Sequence, residues 1–264
     1  MIANKPSRVA IIGAGSVGST AAYACTLQGC ASEVLLVDID EKMRDAQVLD
    51  LQDCGFVSDT KVRAGSFADA GAADIIVITA GAKQRPGESR PELVGRNRAI
   101  LASVLKNMQP IQPDAVLLIV ANPVDALTSV AQQLSGLPKN QVLGSGTFLD
   151  SERLRAALAD RLGVAQTAVH AYVIGEHGDS QVVAWGSATV GNTPLLQLPG
   201  MAGVNLPELA VSVRDKAQSI IAAKGATHFG IGTCVASLCA AILNDKRHVR
   251  PVSHYIPDLD VCIR

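Results

Sequence analysis

The chain has 264 residues, which is enough for one large domain or two modest ones, and for a core that needs no disulfides. Hydrophobic residues make up 48% of the chain and charged residues 18%, which argues against an intrinsically disordered protein. Lys plus Arg, at 23, nearly equals Asp plus Glu, at 24, which argues against a dedicated nucleic-acid or membrane-surface protein, since both need a basic excess.

Short β-branched runs alternate with helical patterns through the first half of the chain. The predicted strands are Arg8–Ile12, Glu33–Val37, Lys61–Ala64, Asp74–Thr79 and Ala115–Val120, and the predicted helices are Ser16–Gln28, Glu41–Asp53 and Pro91–Gln109. These strands are apolar enough to be covered on both faces, and their alternation with helices implies parallel pairing through right-handed crossovers. The first half therefore predicts an α/β fold with a doubly wound parallel sheet.

The pattern changes after about Gly146. The predicted elements there are a helix at Leu149–Leu162, strands at Ala168–Ile174 and Gln181–Ser187, a Gly/Pro-rich connection at Gly191–Pro207, helices at Glu208–Ala223 and His228–Leu243, and a terminal strand pair. This order is typical of α+β organisation. We therefore expect two domains, at residues 1–145 and 146–264.

A glycine-rich segment, Gly13-Ala14-Gly15-Ser16-Val17-Gly18, follows the first predicted strand and opens the first helix. In this position Gly13 allows a tight turn, Gly15 lets the backbone approach a pyrophosphate, and Gly18 lets the helix pack against the strand. The helix N-terminus, at Ser16 and Val17, supplies unpaired amides for the phosphates. By itself the motif is a weak signal, because glycine-rich turns also occur for purely geometric reasons.

Asp38 strengthens the dinucleotide interpretation of the glycine motif. It ends the second predicted strand, 20 residues after Gly18, where a carboxylate can bind both ribose hydroxyls of an adenosine. Because a carboxylate there repels a 2′-phosphate, the sequence favours NAD over NADP. The alternative is a capping Asp in a nucleotide-free domain of the Rossmann type.

Five further segments place charged or polar residues in unusual settings, and each also has a structural explanation. His177 lies between two glycines after an apolar strand, where a lone histidine is more often structural than catalytic. Asp150 and Arg153 are explained equally well as a helix N-terminal acid and its surface partner. The remaining segments are Asn122-Pro123, Gly81–Arg90 and Thr227, which by themselves fit a turn, a solvated loop and a helix cap.

Taken together, these segments resemble the lactate/malate dehydrogenase family, and the resemblance extends over essentially the whole chain. The stretches that carry it are Gly13–Gly18, Ala80–Asn97, Ala121–Asp125, Gly144–Arg155, His170–Ser180 and Lys224–Gly232. Within the family the chain is similar to the bacterial lactate branch. The resemblance implies an NAD-dependent enzyme of glycolysis and fermentation that interconverts pyruvate and L-lactate, with a first domain that binds NAD and a second domain that binds substrate.

The resemblance also implies roles for individual residues. His177 matches the proton donor and acceptor, Asp150 the carboxylate that orients it, and Arg153 the arginine that binds the substrate carboxylate. Arg90 matches the lid arginine that polarises the substrate carbonyl. The remaining matches are Asn122, which contacts cofactor and substrate, Thr227, which lines the substrate pocket, and Gly81 and Ala82, which contact the cofactor.

These residue types suit the reduction of a 2-keto acid, which needs a hydride on carbon and a proton on oxygen. A histidine acts as acid or base near neutrality, and a buried carboxylate on its other ring nitrogen fixes its tautomer and raises its pKa. The planar guanidinium of an arginine matches a carboxylate with two parallel hydrogen bonds, which a lysine does not provide. An arginine on a moving loop stabilises the charge that develops on the substrate oxygen.

Substrate choice in this family depends largely on the loop position six residues before the lid arginine, which is Gln84 here. The malate-type enzymes have an arginine there that pairs with a second carboxylate. A neutral Gln84 favours pyruvate, although the basic neighbours Lys83 and Arg85 leave oxaloacetate open as a substrate. The alternatives are a malate or other 2-hydroxy-acid dehydrogenase, and a non-catalytic NAD-binding relative.

Two basic residues, Arg155 and His170, are not needed by this chemistry. They match an Arg and a His that bind fructose 1,6-bisphosphate between subunits of regulated bacterial relatives. The resemblance therefore implies an allosteric homotetramer. The alternative is that Arg155 is a surface helix residue and His170 a strand-end residue.

The chain carries no recognisable signal peptide or membrane-spanning run, and its six cysteines show neither Cys-x-x-Cys pairs nor zinc spacing. We therefore expect free thiols, no bound metal and a cytoplasmic location. The family normally continues beyond Val261–Arg264 with further strands and a C-terminal helix, so we expect the second domain to lack those elements here.

Overall fold

The computed structural model describes residues 6–82, 85, 87, 89–259 and 261–263, and for Arg90 the helical backbone. Four positions of the predicted loop Gly81–Arg90 lie outside the described residues: Lys83, Gln84, Pro86 and Glu88. The elements of the first half are strands β1 Arg8–Ile12, β2 Glu33–Val37, β3 Lys61–Ala64, β4 Ile75–Ile78, β5 Val116–Ile119 and β6 Val142–Gly144, and helices α1 Ser16–Gln28, α2 Glu41–Gln52, α3 Phe67–Gly71, α4 Arg90–Asn107 and α5 Val124–Ser135. The predicted strands and helices all form, and α3, α5 and β6 are additions to them.

The second half contains more, and shorter, elements than the sequence predicts. They are α6 Phe148–Leu162, β7 Val169–His170, β8 Val173–Ile174, β9 Val182–Val183, β10 Thr189–Val190, β11 Thr193–Pro194, α7 Leu206–Lys224, α8 Phe229–Leu243, β12 Ser253–Ile256 and β13 Val261–Ile263. Helix α7 begins two residues before the predicted start because Asn205 caps it by accepting a hydrogen bond from the Glu208 amide, at 3.3 Å.

The prediction of one continuous strand at Ala168–Ile174 is wrong. The segment divides into β7, which pairs with β10, and β8, which pairs with β9. Between and beside them, backbone groups bond to side chains of α6: the Ala171 carbonyl accepts from Arg155 at 3.0 Å, and the Val173 amide donates to Ser151 at 2.9 Å. The Ala171 carbonyl and the Val173 amide therefore bond to side chains, and not to a neighbouring strand as they would in a longer ladder.

Eight strands of the described residues form the main sheet, in the order β13, β12, β6, β5, β4, β1, β2, β3. From β3 to β6 the pairing is parallel, whereas β12 and β13 join antiparallel beside β6. The order 3-2-1-4-5-6 confirms the doubly wound Rossmann arrangement. It places a topological switch point between β1 and β4, and ligands bind at the carboxyl ends of the strands at such a point.

Alternate residues of the buried strands face two different helix layers. Val9 and Ile11 lie in a core with residues of α1 and α8, whereas Ala10 and Ile12 lie in a core with residues of α4 and α5. Each fully buried large apolar side chain contributes about 1.5–3 kcal/mol. A third core packs α6 and α7 against the short strands of the second half. Among the described residues, no helix is both long and apolar enough to cross a membrane.

Candidate active site

In the turn between β1 and α1, two of the three glycines leave no room for a side chain, and the third leaves the backbone open. Gly13 has a φ of +109°, and a Cβ there would lie 2.7 Å from the Thr79 hydroxyl. A Cβ on Gly18 would lie 1.8 Å from the Gly13 carbonyl oxygen, so α1 packs against the turn only with glycine at this position. A Cβ on Gly15 would meet nothing within 4 Å, so the backbone at Gly15 is open to a ligand.

The start of α1 and the end of β2 complete this surface. No side chain caps α1 at Gly15, and Ser16 is exposed, so the first amides of the helix point to free space beside half-buried Val17. The Asp38 carboxylate accepts the Ala14 amide at 2.6 Å and the Asp40 amide at 2.9 Å, which fixes it next to the turn. Helix amides for a pyrophosphate and a fixed carboxylate for a ribose fit a bound dinucleotide.

A buried side chain that the sequence analysis did not single out, Asn97 of α4, joins the loops after β4 and β5. Asn97 is 2% exposed, accepts the Ala82 amide at 2.8 Å and donates to the Asn122 carbonyl at 2.8 Å. A Cβ on Gly81 would lie 3.2 Å from Ala121, so these two loops touch. The predicted cofactor contacts Gly81, Ala82 and exposed Asn122 therefore lie together at the carboxyl edge of the sheet.

The charged residues predicted for the second half meet at one carboxylate. His177 Nδ1 and Asp150 Oδ2 are 2.6 Å apart, and Arg153 Nη1 donates to Asp150 Oδ1 at 3.1 Å. Asp150 is 1% exposed, whereas the His177 side chain is 30% exposed. The orientation leaves Nε2 of His177 as the ring nitrogen that a substrate can reach. This is the geometry of a histidine held by a buried carboxylate.

The electrostatics of this group favour a protonated imidazole. Burial by itself lowers the pKa of His177, and the charge of Arg153 lowers it further. The hydrogen bond and charge of Asp150, together with the charge of Asp125, raise the pKa by more. The net result is a pKa of His177 above its ordinary value. This shift favours the protonated form of the ring.

The backbone of His177 is fixed as well as its ring. Gly175 has a φ of +89°, which only glycine adopts readily, and it turns the chain immediately after β8. The His177 amide then donates to Asp125 Oδ2 in the first turn of α5, at 2.8 Å. Asp125 belongs to a stretch that carries the resemblance, but no role was predicted for it.

Three predicted residues remain without a described side-chain contact. The backbone of Arg90 opens α4, where the Ser89 amide donates to Glu92 at 2.9 Å, but its side chain lies outside the described part of the chain, as does Gln84. Thr227 is half-buried before α8, and no hydrogen bond involving it is found among the described residues. It is not the helix cap, because His228 occupies that position.

Arg155 and His170 line a separate cavity of about 920 Å³ on another side of α6, with Tyr172 and Arg250. The buried Arg155 side chain pairs with Glu152 at 2.8 Å, and its guanidinium lies 4.7 Å from the centre of the Tyr172 ring. His170 is exposed. The two predicted effector residues therefore border the same space.

Comparison with known families agrees with the fold. Residues 7–144 match the NAD binding domain of lactate/malate dehydrogenase, and residues 147–260 match the alpha/beta C-terminal domain of the same family. The protein is thus a nicotinamide-dependent oxidoreductase. The chain belongs to the lactate/malate dehydrogenase family, and its cofactor is NAD.

Individual relatives are similar along most of their length. L-lactate dehydrogenase A of Rhizopus oryzae is 51% identical over 95% of this chain and 78% of its own length. L-lactate dehydrogenase of Thermus aquaticus is 46% identical over 96% of this chain and 84% of its own length. A lactate dehydrogenase structure from a Medee basin deep-sea metagenome library superposes with a TM-score of 0.94 and 36% identity, over 98% of this chain and 86% of the other. The predicted resemblance to lactate dehydrogenases is confirmed.

Proposed function

We propose that the protein interconverts pyruvate and L-lactate, with His177 as the general acid and base. The observation that carries this proposal is the 2.6 Å contact between His177 Nδ1 and buried Asp150, which leaves the opposite ring nitrogen to donate a proton to the substrate oxygen. When bound, NADH supplies the hydride. Asp150 keeps the proton on Nδ1 and stabilises the imidazolium.

The other residues of the site bind and orient the keto acid. Arg153 uses one guanidinium nitrogen on Asp150 and makes no further hydrogen bond among the described residues, so its remaining donors are available for the substrate carboxylate. We assign Arg90 to the substrate carbonyl, and Asn122 and Thr227 to the walls of the pocket. Asn97 holds the cofactor side of this arrangement in place through Ala82 and Asn122.

Pyruvate is favoured over oxaloacetate by the neutral Gln84 and by the similarity to enzymes named L-lactate dehydrogenases. A neutral side chain leaves the second carboxylate of oxaloacetate without a cation. The test is NADH oxidation with pyruvate and oxaloacetate side by side, and we expect the larger kcat/KM for pyruvate. A larger value for oxaloacetate would make the protein a malate-type enzyme, and NADH binding without turnover of either would make it a non-catalytic relative.

Gln84→Arg tests the residue behind this preference. The new cation should lower the ratio of kcat/KM for pyruvate over oxaloacetate at least tenfold, which corresponds to about 1.4 kcal/mol. Gln84→Lys is the matched variant, since it adds charge without the bidentate fork and should change the ratio less. A ratio within threefold of the wild type in Gln84→Arg would show that another residue selects the substrate.

We further propose that the enzyme is a homotetramer that fructose 1,6-bisphosphate activates through Arg155 and His170. Both residues line the 920 Å³ cavity, and the chemistry at His177 uses neither of them. Two-fold symmetry would bring two such pairs together, giving a cationic cleft suited to a doubly phosphorylated sugar.

A further inference from the structure

A buried carboxylate that was not predicted to be catalytic, Asp125, contacts the backbone of His177. Asp125 lies in the first turn of α5 and is 8% exposed, and its Oδ2 accepts the His177 amide at 2.8 Å. This contact connects the first turn of α5 with the turn after β8 across 52 residues of chain. It therefore ties the position of His177 to the main sheet rather than to α6 alone.

Among the described residues, the charges around His177 leave one negative charge uncompensated. From α6, Asp150 and Arg153 face the imidazole, and these two pair with each other at 3.1 Å. From α5, Asp125 faces it, and within the described part of the chain Asp125 has no ion pair and a buried Oδ1 without a hydrogen-bond partner. From β13, Cys262 lies near Asp125, but burial and the charge of Asp125 raise the pKa of its thiol, which stays neutral.

We infer that Asp125 is a positioning residue for His177, with one oxygen anchoring the backbone amide and its uncompensated charge stabilising the imidazolium. The inference rests on the proposed role of His177 as acid and base. A buried carboxylate oxygen without a partner is costly, and a cation that forms nearby lowers that cost. Protonation of His177 supplies this cation, so the two groups stabilise each other at the stage of the cycle in which the enzyme is ready to reduce a keto acid.

The first test measures the titration of His177 directly by NMR of the imidazole protons, without substrate or cofactor. The chain has five histidines, and the missing signal in His177→Asn identifies the relevant one. In Asp125→Asn the titration midpoint of His177 should move to lower pH, because the charge is lost while an acceptor oxygen remains. Asp114→Asn is the matched control: it removes an exposed carboxylate just before β5, whereas Asp125 follows that strand, and should leave the midpoint unchanged.

The second test separates the anchor from the charge by steady-state kinetics at pH 6. Asp125→Asn keeps an oxygen for the His177 amide, so its kcat/KM for pyruvate should stay within about threefold of the wild type. Asp125→Ala removes the acceptor and should lower kcat/KM about tenfold or more, since a hydrogen bond to a charged group contributes about 1.5–3 kcal/mol. NADH affinity should stay within about threefold in both variants: Asp125 lies three residues from Asn122, a predicted cofactor contact, but the glycine turn at Gly13–Gly18 is separate from it.

These outcomes also distinguish the inference from the proposed function. An unchanged His177 midpoint in Asp125→Asn overturns the electrostatic part, and equal kcat/KM in Asp125→Asn and Asp125→Ala overturns the anchoring part. If Asp125→Ala does not fold, Asp125→Asn still decides the electrostatic part through the midpoint of His177 and through the pH profile of its activity, neither of which a purely structural residue would move. Retained turnover in His177→Asn instead refutes the acid–base proposal, while the NMR midpoints still report on Asp125.

Discussion

Helix α6 carries two acid–arginine pairs with the same spacing of three residues, and the two face different parts of the molecule. Asp150 pairs with Arg153 at 3.1 Å, and Glu152 pairs with Arg155 at 2.8 Å. A shift of two residues along an α-helix turns a side chain by about 200°, so the pairs lie on opposite faces. The first pair meets His177, whereas the second borders the 920 Å³ cavity.

The two pairs differ in what their acidic side chains contact. Asp150 has 2% of its side chain exposed and shares its oxygens between Arg153 and the ring of His177. Glu152 has 26% exposed and shares its oxygens between Arg155 and the amide group of Gln166, which is neutral. The same helical spacing therefore gives a buried carboxylate bound to a histidine on one face and an ion pair in a cavity wall on the other. The sequence motif of α6 alone does not distinguish them.

The largest effect on kcat should come from removing the imidazole of His177, which contacts the pair of Asp150 and Arg153. His177→Asn should lower kcat for pyruvate reduction by at least about 100-fold, because general acid catalysis contributes about 10²–10⁴-fold. NADH affinity, measured by fluorescence titration, should remain within about threefold. His254→Asn, which changes an exposed histidine on β12, is the matched control and should keep wild-type kcat. A tenth of wild-type activity in His177→Asn would contradict the assignment.

The next largest effect should come from the arginine of the first pair. Arg153→Lys keeps the charge near Asp150 but loses the planar fork, so kcat/KM for pyruvate should fall by about 10- to 100-fold. Arg161→Lys, near the end of the same helix, changes an exposed arginine bonded to the Gly200 carbonyl and should leave kcat/KM unchanged. Equal effects in the two variants would mean that Arg153 does not bind the substrate carboxylate.

Sequence reasoning succeeded where a local pattern dictates a local shape. Gly13 and Gly18 sit where a Cβ would collide with Thr79 or with the Gly13 carbonyl, and a spacing rule is sufficient to find such glycines. Sequence reasoning failed where a side chain bonds to a backbone group that is distant in the sequence. The break between β7 and β8 depends on side chains of α6, and Asn97 and Asp125 act on the backbone of Ala82, Asn122 and His177. A polar residue on the buried face of a helix was the available signal for Asn97.

The change with pH should be about tenfold per pH unit, and opposite for pyruvate reduction and lactate oxidation. Asp150 and Asp125 raise the pKa of His177 by more than burial and Arg153 lower it. Since reduction needs the protonated ring, kcat/KM for pyruvate should be constant below that pKa. Above it, kcat/KM for pyruvate should fall about tenfold per pH unit, while lactate oxidation rises to a plateau. Profiles of both directions on the same preparation provide the check, and parallel profiles would contradict a shared acid and base.

The smallest effect should belong to the second pair, and it concerns regulation. We expect fructose 1,6-bisphosphate to lower the KM for pyruvate about fivefold, a coupling in the usual range of about 1–3 kcal/mol.

Glu152 opposes an anion in this cavity because it already pairs with Arg155, so Glu152→Gln should lower the effector concentration needed for half-maximal activation. Arg155→Gln should abolish the response, whereas Arg161→Gln, on the same helix, should keep it. High salt should weaken the response, because the effector is an anion held by charged groups. The measurement is made on protein confirmed as a tetramer, and an unchanged KM for pyruvate would leave the cavity of Arg155 and His170 without an effector role.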